Sequence, residues 1–362
     1  MPIITAARAF LVDLEVESVR TDALQTFLKQ ETLFVEIDTD DGLTGTGYSY
    51  TIGTGGGAVL SILREHFVPL LPGLDAASAE AVWRTLFLSS KATTIGVITS
   101  LALAAVDTAI WDLKSKREGR PLWQVAGGHR REVPLYDTEG GWLHLTTEEL
   151  VHGAERSRAH GWHGVKVKIG KPDPHEDLER LLAVRSVIGD GMDLMVDANQ
   201  SMTVAEAIRR AKILEPADLF WIEEPLPAED VAGHERLAAS TSTTIAVGES
   251  IYSLGHFREY LQRGAAGIVQ VDVARIGGIT PWLKVAHLAE AFDVAVCPHF
   301  LMELHVSLTA AVPNGRYVEH IPQLRALTTR GIEIENGRAV APAEPGLGIA
   351  WDRDAIEDRR VA

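Results

Sequence analysis

From residue 133 onward, short apolar runs alternate with amphipathic stretches, and from residue 166 the runs close on ionisable side chains. GVKVKIG, LMVDANQ, LFWIEEP, IAVGES, IVQVDVA, VAVCPHF and RYVEH carry Lys166 with Lys168, then Asp197, Glu223, Glu249, Asp272, His299 and Glu319, at intervals of 20 to 29 residues. Such an interval holds one strand, one helix and their turns. Strands that are apolar throughout, rather than alternating, are buried on both faces, as in a parallel sheet covered by helices. Counting VPLYDT at 133–138 gives eight strands, which predicts a barrel whose strand C-termini share one rim. Two lysines, five carboxylates and a histidine then meet in one small volume.

The first 120 residues follow another pattern. LFVEIDTDDGLTGTGYSYT alternates polar and apolar positions and turns at Asp41–Gly42, a hairpin signal. Helical periods follow in AVLSILREHFVPLL, SAEAVWRTLFLSS and ITSLALAAVDTAIWDLKSKREG, the last closing on basic residues before Gly119. Strands followed by helices predict an α+β domain. The tail, GIEIENGRAVAPAEPGLGIAWDRDAI, returns to short strands and turns, and is expected to pack on the first domain. The expected division is 1–125, 126–325 and 326–362.

Length agrees, since a barrel of eight strands and helices takes about 250 residues and the chain has 362. A net charge of −16 argues against nucleic acid or an anionic membrane as partner. The single cysteine, Cys297, excludes an intrachain disulfide and fits a reducing compartment. MPIITAARAFLVDLEVES is too acidic for a signal peptide, and the most apolar stretch carries Asp107 and Asp112, so a cytoplasmic protein is expected.

Asp197, Glu223 and Glu249 close three consecutive strands. One such acid is ordinarily a solvated loop residue or a helix cap. Three in register form a set of hard oxygen ligands suited to Mg²⁺, with Mn²⁺ as substitute. Lys166 and Lys168 lie two apart on one strand and face the same side; two neighbouring ammonium groups lower each other's pKa, so one can serve as a base. Asp272 and His299 close adjacent strands, and a carboxylate beside an imidazole makes a proton-transfer pair. Glu319 is expected as a protonated hydrogen-bond donor, and Asn199 points into the same site. Glu224 faces away by strand alternation. GTGGG at 53–57 lacks the β-α-β context of a phosphate site and reads as a mobile loop.

The ordered set VKVKIG, VDANQ, WIEEP, GES, VDVARIGGIT, PHF and VEH, with AIWDLK in the first domain, resembles the mandelate racemase subgroup of the enolase superfamily over the whole chain. The resemblance implies an α+β capping domain over a modified (β/α)₇β barrel, and removal of the proton α to a carboxylate through an enediolate. It also implies Asp197, Glu223 and Glu249 as Mg²⁺ ligands and Lys168 and His299 as opposed acid/base groups. Lys166 would touch the substrate carboxylate, Asp272 would pair with His299, and Glu319 would bond the enediolate. Segments such as YDTEGGWLH are most similar to those of acid-sugar (talarate/galactarate) dehydratases, and GTGYSYTIGTGGG to those of cycloisomerases. The expected function is therefore dehydration of a hexarate or hexonate by a homo-oligomer, with Arg20, Trp142 and His144 contacting substrate. Racemisation or cycloisomerisation on the same scaffold is the alternative, and a non-catalytic metal and sugar-acid binder the remote one.

Overall fold

The alternation of the first fifty residues forms an antiparallel sheet of β1 (Ile4–Thr21), β2 (Thr26–Thr39) and β3 (Thr44–Thr51), with Gly42 turning the β2–β3 hairpin at φ 82°. The computed structural model describes the backbone of residues 1–362 and every side chain except those of Glu17 and Leu28. Behind the sheet lie α1 (Gly56–Ile62), α2 (Ala79–Ser89) and α3 (Val97–Arg117), followed by the short α4 (Leu122–Val125). α3 is buried almost all round from Thr99 to Leu113, as a helix without an amphipathic period should be. Its two acids are satisfied by what they join. Asp112 accepts hydrogen bonds from the backbone of Thr46 (2.8 Å) and Leu347 (3.0 Å), and Asp107 accepts from the backbone and hydroxyl of Thr280 (2.8 and 2.7 Å). No helix among the described residues is long and apolar enough to cross a membrane.

The barrel strands are β4 (Glu132–Asp137), β5 (Gly164–Lys168), β6 (Asp193–Asp197), β7 (Trp221–Glu223), β8 (Thr244–Val247), β9 (Ile268–Val269), β10 (Ala295–Val296) and β11 (Val318–His320). They pair in parallel in chain order, β11 returns to β4, and a parallel bridge from Val296 to Gly315 joins the last gap. Seven helices alternate with them: α5 (Thr147–Ala159), α6 (Pro174–Ile188), α7 (Val204–Leu214), α8 (Val231–Ala238), α9 (Leu254–Gln262), α10 (Ile279–Glu290) and α11 (Met302–Ala311). This is the expected (β/α)₇β order. β13 (Arg338–Val340) pairs antiparallel with β4, β12 (Glu333–Glu335) pairs antiparallel with β13, and α12 (Arg353–Asp358) follows. The C-terminal segment thus divides its contacts. Residues 338–340 pair with β4 of the barrel, whereas Trp351 packs edge-on against Phe34 and Tyr48, and Arg353 pairs with Glu36 of the first sheet.

Several buried acids lie outside the chemistry, Glu303 among them. Glu303, near the start of α11, is 6% exposed, and burial pushes its carboxyl up to about 7. A carboxyl raised in the folded state binds its proton more tightly there than in the unfolded chain. It therefore costs stability as pH rises from the unfolded value near 4.5 through 7, on the order of 1–3 kcal/mol. Glu303→Gln is expected to flatten the fall in melting temperature between pH 5 and 8; an unchanged slope would assign that fall to other groups.

Candidate active site

The strand periods deliver their ionisable residues to one rim. Asp197 and Glu223 end β6 and β7, and Glu249 follows β8 by two residues. Gly248 between them is obligatory, since a Cβ there would lie 2.6 Å from the backbone of Gln270. The turns after these strands use positive φ, at Asn199 (44°), Gln200 (61°), Glu224 (38°) and, after His299, at Phe300 (66°). For residues other than glycine this is uncommon backbone, of the kind concentrated at functional sites. Carboxylate oxygens of Asp197, Glu223 and Glu249 all lie within 4.8 Å of one another.

Around them the charges interlock. Lys168 Nζ lies 2.5 Å from Asp197 Oδ2, and Lys166 Nζ donates to Glu223 Oε1 and Glu319 Oε1, both at 2.8 Å. Trp221 Nε1 (3.1 Å) and Gln270 Nε2 (2.7 Å) donate to the other Glu223 oxygen. His299 places Nδ1 2.9 Å from Asp272 Oδ2 and Nε2 3.2 Å from Glu249 Oε2. Arg275 reaches the carbonyl and Oε1 of Glu249, both at 3.3 Å. Five carboxylates therefore face three permanent cations, Lys166, Lys168 and Arg275. With His299 neutral, the surplus is two negative charges in a buried site, which a divalent cation neutralises. Burial, reinforced by Asp197, pushes the Glu223 carboxyl up to about 8, as expected of acids with too little compensation. Donor type, spacing and charge all fit Mg²⁺.

Two expectations about protonation are corrected. Burial and Lys166 both act to lower the Lys168 pKa, but contact with Asp197 outweighs them and holds it above the ordinary lysine value. Glu319 is not a protonated donor. Burial raises its carboxyl, yet Lys166 overcomes this and holds it far below the carboxylate range, and its oxygens accept from Lys166, from Thr138 Oγ1 (2.6 Å) and from Phe300 N (2.7 Å). His299 is shifted up: burial opposes the shift, but Glu249 and the bond to Asp272 favour the cation.

The cleft over this cluster is lined by Lys166, Lys168, Asn199, Glu249, His299 and Glu319 from the barrel. Asp22, Gln25, Phe27, Tyr50 and Ile52 close it from the first domain.

Two regions match family models. Residues 8–127 match the N-terminal domain of mandelate racemase / muconate lactonizing enzyme, and residues 149–355 match the enolase C-terminal domain-like family. The chain belongs to the mandelate racemase / muconate lactonizing enzyme family. It is 37% identical to the L-talarate/galactarate dehydratase of Salmonella typhimurium over 89% of this chain and 81% of that one. It is 38% identical to the 3,6-anhydro-alpha-L-galactonate cycloisomerase of Streptomyces coelicolor over 90% of each. The crystal structure of L-talarate dehydratase from Polaromonas sp. JS666, complexed with Mg and L-glucarate, superposes with a TM-score of 0.95 at 37% identity, covering 100% of this chain and 98% of that one.

Within this family member, three expected substrate contacts fare differently. Trp142 lines the cleft with Lys168 Nζ 5.3 Å from its ring centre. Gly141 permits this: its loop lies so close to β5 that a Cβ would strike the carbonyl of Lys166 at 1.8 Å. Arg20 and His144 do not line the cleft. Arg20 binds Glu139 (2.6 Å), Gln323 (3.1 Å) and the carbonyl of Pro322 (3.2 Å), while His144 Nδ1 meets Thr21 Oγ1 at 2.6 Å. Both side chains fasten the first domain to the barrel loops. In the GTGGG segment Gly56 N (2.9 Å) donates to the buried Glu31, as does Thr51 Oγ1 just before it. Periodicity missed Tyr50, Thr138, Gln270 and Arg275. Only Arg275 carried a signal, as a lone cation three residues beyond Asp272.

Proposed function

We propose that the protein is a magnesium-dependent dehydratase of acid sugars. The observation that carries this reading is the order of groups around the rim. Asp197, Glu223 and Glu249 occupy adjacent strands, with Lys168 on β5 to one side and His299 beyond β10 on the other. In this reading the three acids hold the cation, which when bound stabilises negative charge developing on the substrate carboxylate. Lys166 touches that carboxylate and is itself anchored by Glu319. Lys168 removes the α-proton; it becomes a base once Asp197's charge is taken up elsewhere, because burial and Lys166 then favour the neutral amine. The C–H electron pair forms the enediolate, which collapses to expel the β-oxygen. His299, oriented by Asp272, protonates that oxygen as it leaves as water, and the enol becomes a 2-keto-3-deoxy acid. Trp142, Asn199, Asp22 and Gln25 contact the sugar carbons and hydroxyls. Residues 1–125 act as the cap, 126–325 as the catalytic barrel and 326–362 as a strap across both. Buried Cys297 supports a cytoplasmic location, and a homo-oligomer belongs to the same reading.

The near-equal identity to a cycloisomerase supports a second reading with the same residues. In a 3,6-anhydro acid the β-oxygen belongs to a ring ether, so the same elimination opens the ring and releases no water. Product mass separates the two. Dehydration of a hexarate or hexonate is expected to yield a keto acid lighter by one water, and an isobaric keto acid from an anhydro acid, with none from the open acids, would install the cycloisomerase reading instead. Mandelate is expected to be ignored, because a site built to bond hydroxyls rejects analogues lacking them by about 10⁴-fold or more.

A further inference from the structure

One residue that joins the acid/base pair comes from the other domain. Tyr50, next to the end of β3, is 2% exposed, and its hydroxyl donates to Asp272 Oδ2 at 2.6 Å across 222 residues of chain. That is the oxygen that faces His299 Nδ1 at 2.9 Å. The other carboxylate oxygen of Asp272 accepts from the backbone of Ala274 (2.7 Å) and Arg275 (3.1 Å), and Arg275 Nε stands 4.0 Å from Oδ2. Every partner of Asp272 except Tyr50 therefore comes from the barrel. The tyrosine ring also packs on Phe300, with centroids 4.5 Å apart, and Phe300 stacks on the His299 imidazole at 5.2 Å and 14°. One first-domain side chain thus bonds one half of the acid/base pair directly and reaches the other through the intervening ring of Phe300. Burial drives the phenol pKa well above its usual value, so the hydroxyl stays a donor.

We infer that Tyr50 is a positioning residue for the His299–Asp272 pair, through which docking of the first domain fixes the orientation of the imidazole. Two backbone N–H groups hold Oδ1, and the Tyr50 bond fixes Oδ2 where it meets His299. Charge-assisted bonds of this kind are strong and geometrically selective. The inference rests on the acid role given to His299 under Proposed function.

Tyr50→Phe keeps the ring against Phe300 and removes only the hydroxyl. Turnover (kcat) is expected to fall roughly tenfold, the effect of one charge-assisted bond, with KM within about twofold. In an Asp272→Asn background the same change is expected to cost nothing further, because Tyr50 acts through that carboxylate. In ¹⁵N-histidine-labelled protein the His299 Nδ1–H resonance, assigned by its loss in His299→Gln, is expected to move in Tyr50→Phe. Wild-type kcat with an unmoved resonance overturns the inference, as does a tenfold loss that persists beside Asp272→Asn. If His299→Gln alone keeps wild-type turnover, the acid role of His299 fails instead, and the resonance then decides Tyr50 by itself.

Discussion

Lys168→Ala is expected to lower kcat by about 10³-fold or more, the upper range for loss of a general base. His299→Ala should lose as much net turnover for a different reason, and isotope exchange separates the two. Without Lys168 the α-carbon should take up no solvent deuterium. Without His299 the α-proton should still exchange while the β-oxygen stays attached. The reverse pattern would make His299 the abstracting base, and near wild-type rates in both variants would remove both from the mechanism. Stability gives an independent reading of the same site. Removing Lys168 leaves Asp197, 0% exposed, with Lys166 at 3.8 Å as its nearest cation. A broken buried pair costs about 3–5 kcal/mol. The loss should be largest in chelator and smaller in magnesium, which supplies a replacement charge.

The second large effect concerns the cation. Chelation is expected to abolish turnover and added Mg²⁺ to restore it, with Mn²⁺ as a substitute. At a hundred times its dissociation constant a ligand stabilises the folded state by about 2.7 kcal/mol, which for a chain of this size raises the melting temperature by roughly 3 °C. Glu223→Ala should remove both responses. Here the arithmetic of charge decides: surplus negative charge requires either a cation or protonated acids, and burial with Asp197 beside it pushes the Glu223 carboxyl upward, in the direction of the second route. A protein whose melting temperature ignores millimolar magnesium would have another way of neutralising the cluster.

The part of this site legible in the sequence is the part written by periodicity. Asp197, Glu223, Glu249, Asp272, His299 and Glu319 each end an apolar run, and a parallel barrel leaves strand ends nowhere to go but one rim. Lys166 and Lys168 were legible because positions two apart on a strand share a face. Loop side chains obey no such rule. Arg20 and His144 were expected at the substrate because they lie in polar loops near it, but their direction is set by docking between domains, with Glu139 and Thr21 as the partners that capture them. Tyr50 was invisible for the same reason, its partner being 222 residues away. The charge state of Glu319 is set first by Lys166, whose direct contact with it no pattern announces, and its oxygens also accept from Thr138 Oγ1 and from Phe300 N, presented by a residue at φ 66°. The C-terminal segment was read as strands and turns, but its division between β4 and the first sheet is a matter of packing, not of period.

Incubation with a panel of hexarates and hexonates in heavy water, with and without Mg²⁺, tests the central claim most directly. Nuclear magnetic resonance would follow the carbon α to the carboxylate and the appearance of keto acid together. A 2-keto-3-deoxy acid carrying solvent deuterium, formed with magnesium and absent with chelator, is the expected result. No keto acid and no α-deuterium from any acid sugar in the presence of magnesium, or keto acid formed equally well in chelator, would contradict it.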